Sequence, residues 1–286
     1  MTKEQLIQLM EPGTLRYSNM RYILQHNDYQ NKVQKLKDIE QFISNFSYLS
    51  FGRDFIMCHN NTLSLRTIVI SLELTAGSIV SCSQFGCLAD ANSLLRKYRD
   101  DMFFYLYLIV YEESKNVNSS ELNTTTMADN IERWIKNNLS NLQIGDVLKA
   151  IAQSPTTKEA VRNYKLKTYF DQLGARLNNY VHSNGVKFYN RNVISYNGHE
   201  LLEQLNSLVT DMRFITINFL FLLSLCAPHF IMSTEYVDDL DCGLTPPDGS
   251  QYWVAPFIVD FFKENLHLID KSCIDYLRDN TPMEFD

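Results

Sequence analysis

Helix-breaking residues are scarce in this chain, with 10 glycines and 7 prolines spread over 286 residues. So few turn signals exclude the many short, evenly punctuated strands of a sandwich or barrel and favour long helices. An excess of positive charge is lacking too. The 26 Lys and Arg against 33 Asp and Glu give a net charge of −7, which offers a phosphate backbone no general attraction, so any nucleic-acid contact has to be local. There is no glycine-rich phosphate loop, dinucleotide fingerprint or nucleophile elbow, which removes the common nucleotide-dependent and hydrolase folds.

The six cysteines carry no zinc or redox spacing; even the nearest pair, Cys82 and Cys87, has four residues between its members. They read as reduced, mostly buried thiols of a cytosolic protein. His59, His199, His229 and His267 show no metal-ligand spacing with one another or with nearby Cys or carboxylates, so neither a metal nor a cofactor is assigned. The opening MTKEQLIQLMEPG has no basic start followed by an apolar run, so no export signal is expected and the location reads as cytoplasmic. Glycosylation sequons at Asn60, Asn118, Asn123 and Asn138 then carry no weight. The longest hydrophobic run, Phe214 to Met232, is interrupted by Thr216, Asn218, Ser224, Pro228 and His229. A bilayer span needs ~20 predominantly apolar residues, so the run reads as a helix buried in a soluble core, with no membrane contact expected.

What is abundant is apolar and aromatic surface: 45% hydrophobic residues, with 17 Phe and 16 Tyr. The fold class expected is all-α, a multi-helix bundle. Val33, Leu36, Ile39, Phe42, Ile43 and Phe46 recur at helical spacing and predict an amphipathic helix over 29–48. Residues 63–83 read as helix rather than strand because the apolar stretch is long and lacks turn residues. Gly86 marks a turn before a long helix over 88–115, polar in its first half and aromatic in its second. The composition of 116–126, NVNSSELNTTT, is that of a surface loop. Helices over 127–139 and 143–153 follow, then one over 157–182, a short hairpin or irregular turn over 186–197, and a helix resuming near His199. The breaker-rich CGLTPPDGSQYW closes the main body, and helices near 255–267 and 269–279 complete the chain. The expected organisation is an N-terminal helical segment (1–60), a helical core (61–232) and a C-terminal extension packed on it (233–286).

The helix over 157–182 carries the chemistry. Leu166, Tyr169, Phe170, Leu173, Leu177, Tyr180 and Val181 fall on one face and predict its core side. Arg176, Asn179 and His182 form a polar stripe that drifts away from that face, leaving His182 accessible in the last turn. Ser183-Asn184-Gly185 supplies a left-handed cap. A proton-transferring imidazole beside a fixed cation is what metal-free RNA cleavage requires: one group moves the 2′-OH proton and the other neutralises the pentavalent phosphorane. The residues alone also allow a plainer reading, with His182 stabilising its own helix terminus and Arg176 in a surface ion pair. Arg96, Arg99, Asp100 and Asp101 similarly read either as a second polar wall or as a solvated face of internal ion pairs. Arg162, Lys165 and Lys167 make the start of the helix locally basic.

The segment Leu173 to Gly185, LGARLNNYVHSNG, resembles the signature of the HEPN superfamily (higher eukaryotes and prokaryotes nucleotide-binding): an Arg, four to six residues, then a His, often with an Asn just after the Arg. Arg176 and His182 have five residues between them, Asn178 and Asn179 included. LLRKYRDDMFFYLYL on the helix over 88–115 looks like the Arg and acidic pattern on an earlier helix of abortive-infection and related bacterial HEPN-like proteins. The resemblance implies a helical homodimer in which two Arg/His pairs line one cleft and cleave RNA without a metal, as part of a bacterial defence or toxin system with its own protein partner or activator. In that reading His182 is the general acid/base, Arg176 clamps the phosphate, Asn179 orients the substrate or the imidazole, and Asn178, Arg96 and Arg99 contact the substrate. The same family contains catalytically silent members, so the implied alternative is a non-catalytic binding or regulatory subunit.

Overall fold

The structure is a computed structural model that describes residues 23–49, 55–59, 61–115, 122–137, 143–182, 184–185, 188 and 198–285. It is all-α apart from one small hairpin. Helix α1 (Asn27–Leu49) runs into strands β1 (Phe55–Cys58) and β2 (Asn61–Ser64), which pair antiparallel with Cys58 opposite Asn61. Next come α2 (Arg66–Gln84), α3 (Leu88–Ser114), α4 (Thr124–Ile135) and α5 (Ile144–Gln153). The short α6 (Lys158–Asn163) leads into α7 (Leu166–Val181) and the long α8 (Gly198–Cys226). A C-terminal group, α9 (Glu235–Asp241), α10 (Pro256–Asn265) and α11 (Ser272–Asn280), completes the chain.

The core is assembled from aromatic and aliphatic stripes at three- and four-residue spacing. On α1, Tyr29, Val33, Leu36, Ile39, Phe42, Ile43 and Phe46 are all buried. The second half of α3, from Met102 to Tyr111, is buried almost without interruption because α2, α8, α5 and α7 pack around the helix. Phe46 on α1, Tyr105 on α3 and Phe219 on α8 meet edge to face, with centroids 5.6 to 6.3 Å apart, a geometry in which ring edges face ring faces. Tyr98 adds a polar link, its hydroxyl 2.9 Å from that of Thr216 at a site closed to water.

Two described helices, α2 and α8, are long and apolar enough by composition to cross a bilayer. Of the apolar window in α8, 78% is buried inside the fold, which is where the sequence placed the run from Phe214. The C-terminal group joins the same core: Phe42 packs on Phe257 and Phe261 at 5.4 and 4.3 Å. Backbone bonds from Ser233 to Trp253 and from Ala255 to Ile231 fasten its connecting loop. The three stretches expected from sequence therefore contribute to one apolar cluster.

Several expectations need correction. The helix expected over 157–182 is two helices, broken where Lys165 adopts the left-handed conformation at φ 52°. Nothing in Asn163-Tyr164-Lys165 signals a break, since neither Gly nor Pro is present. A side chain in this region is strained, so Lys165→Gly is expected to raise stability by about 0.5 to 1 kcal/mol, measurable by urea denaturation. The observed hairpin lies at 55–64, between α1 and α2; the one expected over 186–197 falls almost entirely outside the described residues. Helix α4 begins at Thr124, earlier than expected, because the Asn123 side chain caps it by accepting from the Thr126 amide. All six cysteines are free thiols, but only Cys58 and Cys273 are buried, while Cys87 and Cys242 are exposed.

Candidate functional site

Helix α7 packs antiparallel on α3 and on α8, and its polar residues are sorted by which neighbour they face. Phe103 of α3 lies 4.4 Å from Phe170, and one turn further along Arg99 reaches Gly174. A methyl group built on Gly174 would stand 2.4 Å from Arg99 Nη1, so the glycine leaves room for the guanidinium and a larger residue would push it aside. Continued for another turn, this register brings Arg96 to the level of Asn178. On its α8 side, α7 places Tyr169 and Phe170 against Phe214, with Arg176 beyond them.

Arg176 donates through Nη2 to Asp211 Oδ2 of α8 at 2.5 Å, the arginine 40% and the aspartate 17% exposed. Burial pushes the Asp211 carboxyl above the ordinary carboxylate value, and Arg176 pulls it back down. The pair holds the guanidinium by one amino group and leaves the rest of its fork at the surface. His182 is exposed, the residue that closes α7, its backbone N–H donating to Asn178 O at 3.0 Å. The Asn184 amide then bonds to Asn179 O, and Gly185, three residues past His182, takes φ +93°; Ser183, the position that would carry the left-handed cap, lies outside the described residues. Asn179 Oδ1 accepts from Asn184 Nδ2 at 3.3 Å, so its side chain is tied to the same cap.

The remaining residues expected at the site take other places. Arg99 is 2% exposed, with Nε and Nη2 both on Asp100 Oδ1 at 2.8 and 2.5 Å, so it is an interior ion pair and not a wall open to substrate. Asp100 is held between Arg99 and Arg96; burial nevertheless raises its carboxyl, outweighing both cations. Arg96 is 27% exposed, and its Nε, 3.6 Å from Asp100 Oδ2, makes no hydrogen bond among the described residues. Asn178 turns inward, its Oδ1 buried without a hydrogen-bond partner among the described residues. Lys97 and Asp101 face the opposite way, pairing with each other and with Ser71 of α2. Tyr169 and Val181, expected in the core, are 50% and 41% exposed because they flank the buried stripe at its two edges.

Within one chain Arg176 and His182 do not converge. Six residues of α-helix separate them by about 120° around the axis and about 9 Å along it. Arg176 accordingly leans on α8, and His182 projects from the end of α7. Asp211 is the site residue that sequence reasoning missed. It is one of several polar residues in the first half of α8, with Glu200, Glu203 and Arg213 nearby, so nothing in the sequence singles it out; its partner lies 35 residues away and only the contact of α7 with α8 identifies it. No family model, curated protein or solved structure matches the chain.

Proposed function

We propose that the chain is a HEPN-like endoribonuclease of a bacterial defence or toxin system, using Arg176 and His182 to cleave RNA without a metal at a cleft shared by two subunits. The observation that carries the reading is that one helix presents both an exposed His182 and a half-exposed Arg176 whose guanidinium Asp211 holds in place. His182 takes the 2′-OH proton as the 2′ oxygen attacks phosphorus. The bond to the 5′ oxygen breaks, the leaving oxygen receives a proton, and a 2′,3′-cyclic phosphate remains. Arg176 meets the phosphorane oxygens with the donors Asp211 leaves free. Asn179, tied to the cap, keeps the end of α7 and hence the imidazole in place.

A second reading, a non-catalytic HEPN-like binding or regulatory subunit, is favoured by the neutralisation of Arg176 by Asp211 and by the angular separation of Arg176 from His182. Labelled RNA incubated with the purified protein in EDTA decides between them. The nuclease reading expects cleavage with cyclic-phosphate ends, reduced about 10²- to 10⁴-fold in His182→Ala, the range typical of losing a general acid/base. A folded wild type that cleaves no RNA, alone or with its system partners, supports the regulatory reading.

A further inference from the structure

The geometry points to a divalent metal site, separate from α7, formed by His59, Asp129 and Glu132, of the kind that holds zinc. His59 occupies the turn between β1 and β2, and its Nε2 lies 3.9 Å from Asp129 Oδ1 and 3.8 Å from Glu132 Oε2. One ligand atom from each residue falls within 4.8 Å of the other two. Three ligands at zinc's usual distance of about 2.1 Å sit roughly 3.0 to 3.5 Å from one another. Side-chain rotations that draw each ligand atom inward by a few tenths of an ångström close the site.

Two features show that the ligands are presented together by the fold. Asp129 and Glu132 are three residues apart on α4 and therefore share a face. The hairpin is fastened to that helix next to the ligands themselves: the Cys58 thiol donates to the Ala128 carbonyl at 3.3 Å, so the residue before His59 is bonded to the residue before Asp129. Lys115, at the end of α3, donates to the Met57 carbonyl and ties the hairpin to α3 as well. Lys136 pairs with Glu132 through Oε1, which leaves Oε2 directed at His59.

One imidazole and two carboxylates select the class of ion. Magnesium and calcium prefer oxygen alone, and thiolates that would draw copper(I) are missing from the set. An imidazole with two carboxylates suits zinc, with three protein ligands and water in the open fourth position. All three side chains are at least partly exposed, so binding in the micromolar range is expected. A bound ion would clip the hairpin to α4 and so stiffen the joint between α1 and α2.

The test is a calorimetric titration of zinc chloride into the full-length protein after EDTA stripping and dialysis. The expected result is one equivalent bound, at least 10-fold weaker in His59→Ala and in Asp129→Asn, with wild-type affinity kept in Cys87→Ser, Cys242→Ser and His199→Ala. Saturating zinc should raise the thermal midpoint by about 4 to 8 °C in the wild type and not in Asp129→Asn. Cobalt(II) substituted at the site should show ligand-field bands without a sulfur charge-transfer band. No zinc binding, binding untouched by the His59 and Asp129 changes, or a sulfur charge-transfer band would overturn the proposal. Circular dichroism of each variant separates a lost site from a lost fold.

Discussion

Arg99→Ala is expected to lose about 3 to 5 kcal/mol of folding stability, because it strands the Asp100 carboxylate in a partly closed interior and leaves an unfilled space beneath Gly174. Equilibrium denaturation in urea measures it. The loss should also depend on pH. The Asp100 carboxyl already lies above its ordinary value because burial outweighs Arg99 and Arg96, and removing Arg99, the larger of the two cationic influences, raises it further. A carboxyl that is easier to protonate folded than unfolded makes stability fall as pH rises between the unfolded and the folded value. The deficit of Arg99→Ala should therefore shrink when the pH is lowered from 7 toward 5.

Two second changes isolate the cause. Asp100→Asn should recover part of the loss in the Arg99→Ala background, since it removes the stranded charge. Gly174→Ala should be destabilising in the wild type and markedly less so in Arg99→Ala, because the atom its methyl group would strike is gone. A loss under about 1 kcal/mol, of the size seen for surface pairs, would mean that Arg99 and Asp100 are solvated.

The bundle is legible in the sequence wherever a single periodicity decides the outcome. Helices α1, α3 and α8 each bury an apolar stripe whose spacing is visible without a structure, and α10 and α11 follow the breaker-rich loop that announces them, whereas the short α9 before that loop is not among the helices expected. The misses have two physical causes: local backbone features that no residue type marks, and contacts between residues far apart in sequence. Lys165 adopts a left-handed backbone with no glycine or proline to mark it. The β1–β2 hairpin turns at His59 without a typical turn dipeptide, and its strands have four residues each, too few for alternation to register. The run Arg96 to Asp101 divides between two neighbouring helices, which local charge patterning cannot reveal. Asp211 opposite Arg176, and His59 opposite Asp129 and Glu132, are separated by 35 and roughly 70 residues, so their pairings exist only in the packed chain.

That separation also governs the last expectation, which concerns how Arg176 and His182 work together. If RNA is cleaved at a site formed within one chain, mixing inactive Arg176→Ala and His182→Ala proteins restores nothing, because neither chain holds both groups. Positions about 120° apart around α7 favour the other arrangement, with Arg176 of one subunit facing His182 of the next across a two-fold axis. A mixed dimer then contains one site with both groups intact and one with neither. With random reassortment about half the dimers are mixed and each has one working site of two, so the mixture should recover about a quarter of wild-type cleavage. Each variant alone should remain at least 10²-fold down. Asp211→Asn should act through Arg176: it removes the charge that fixes the guanidinium, lowering activity less than Arg176→Ala does, and it should have no further effect once Arg176 is alanine. Two inactive variants that stay inactive when mixed, after exchange of subunits has been verified, would exclude the shared cleft and place both groups at a site within one chain.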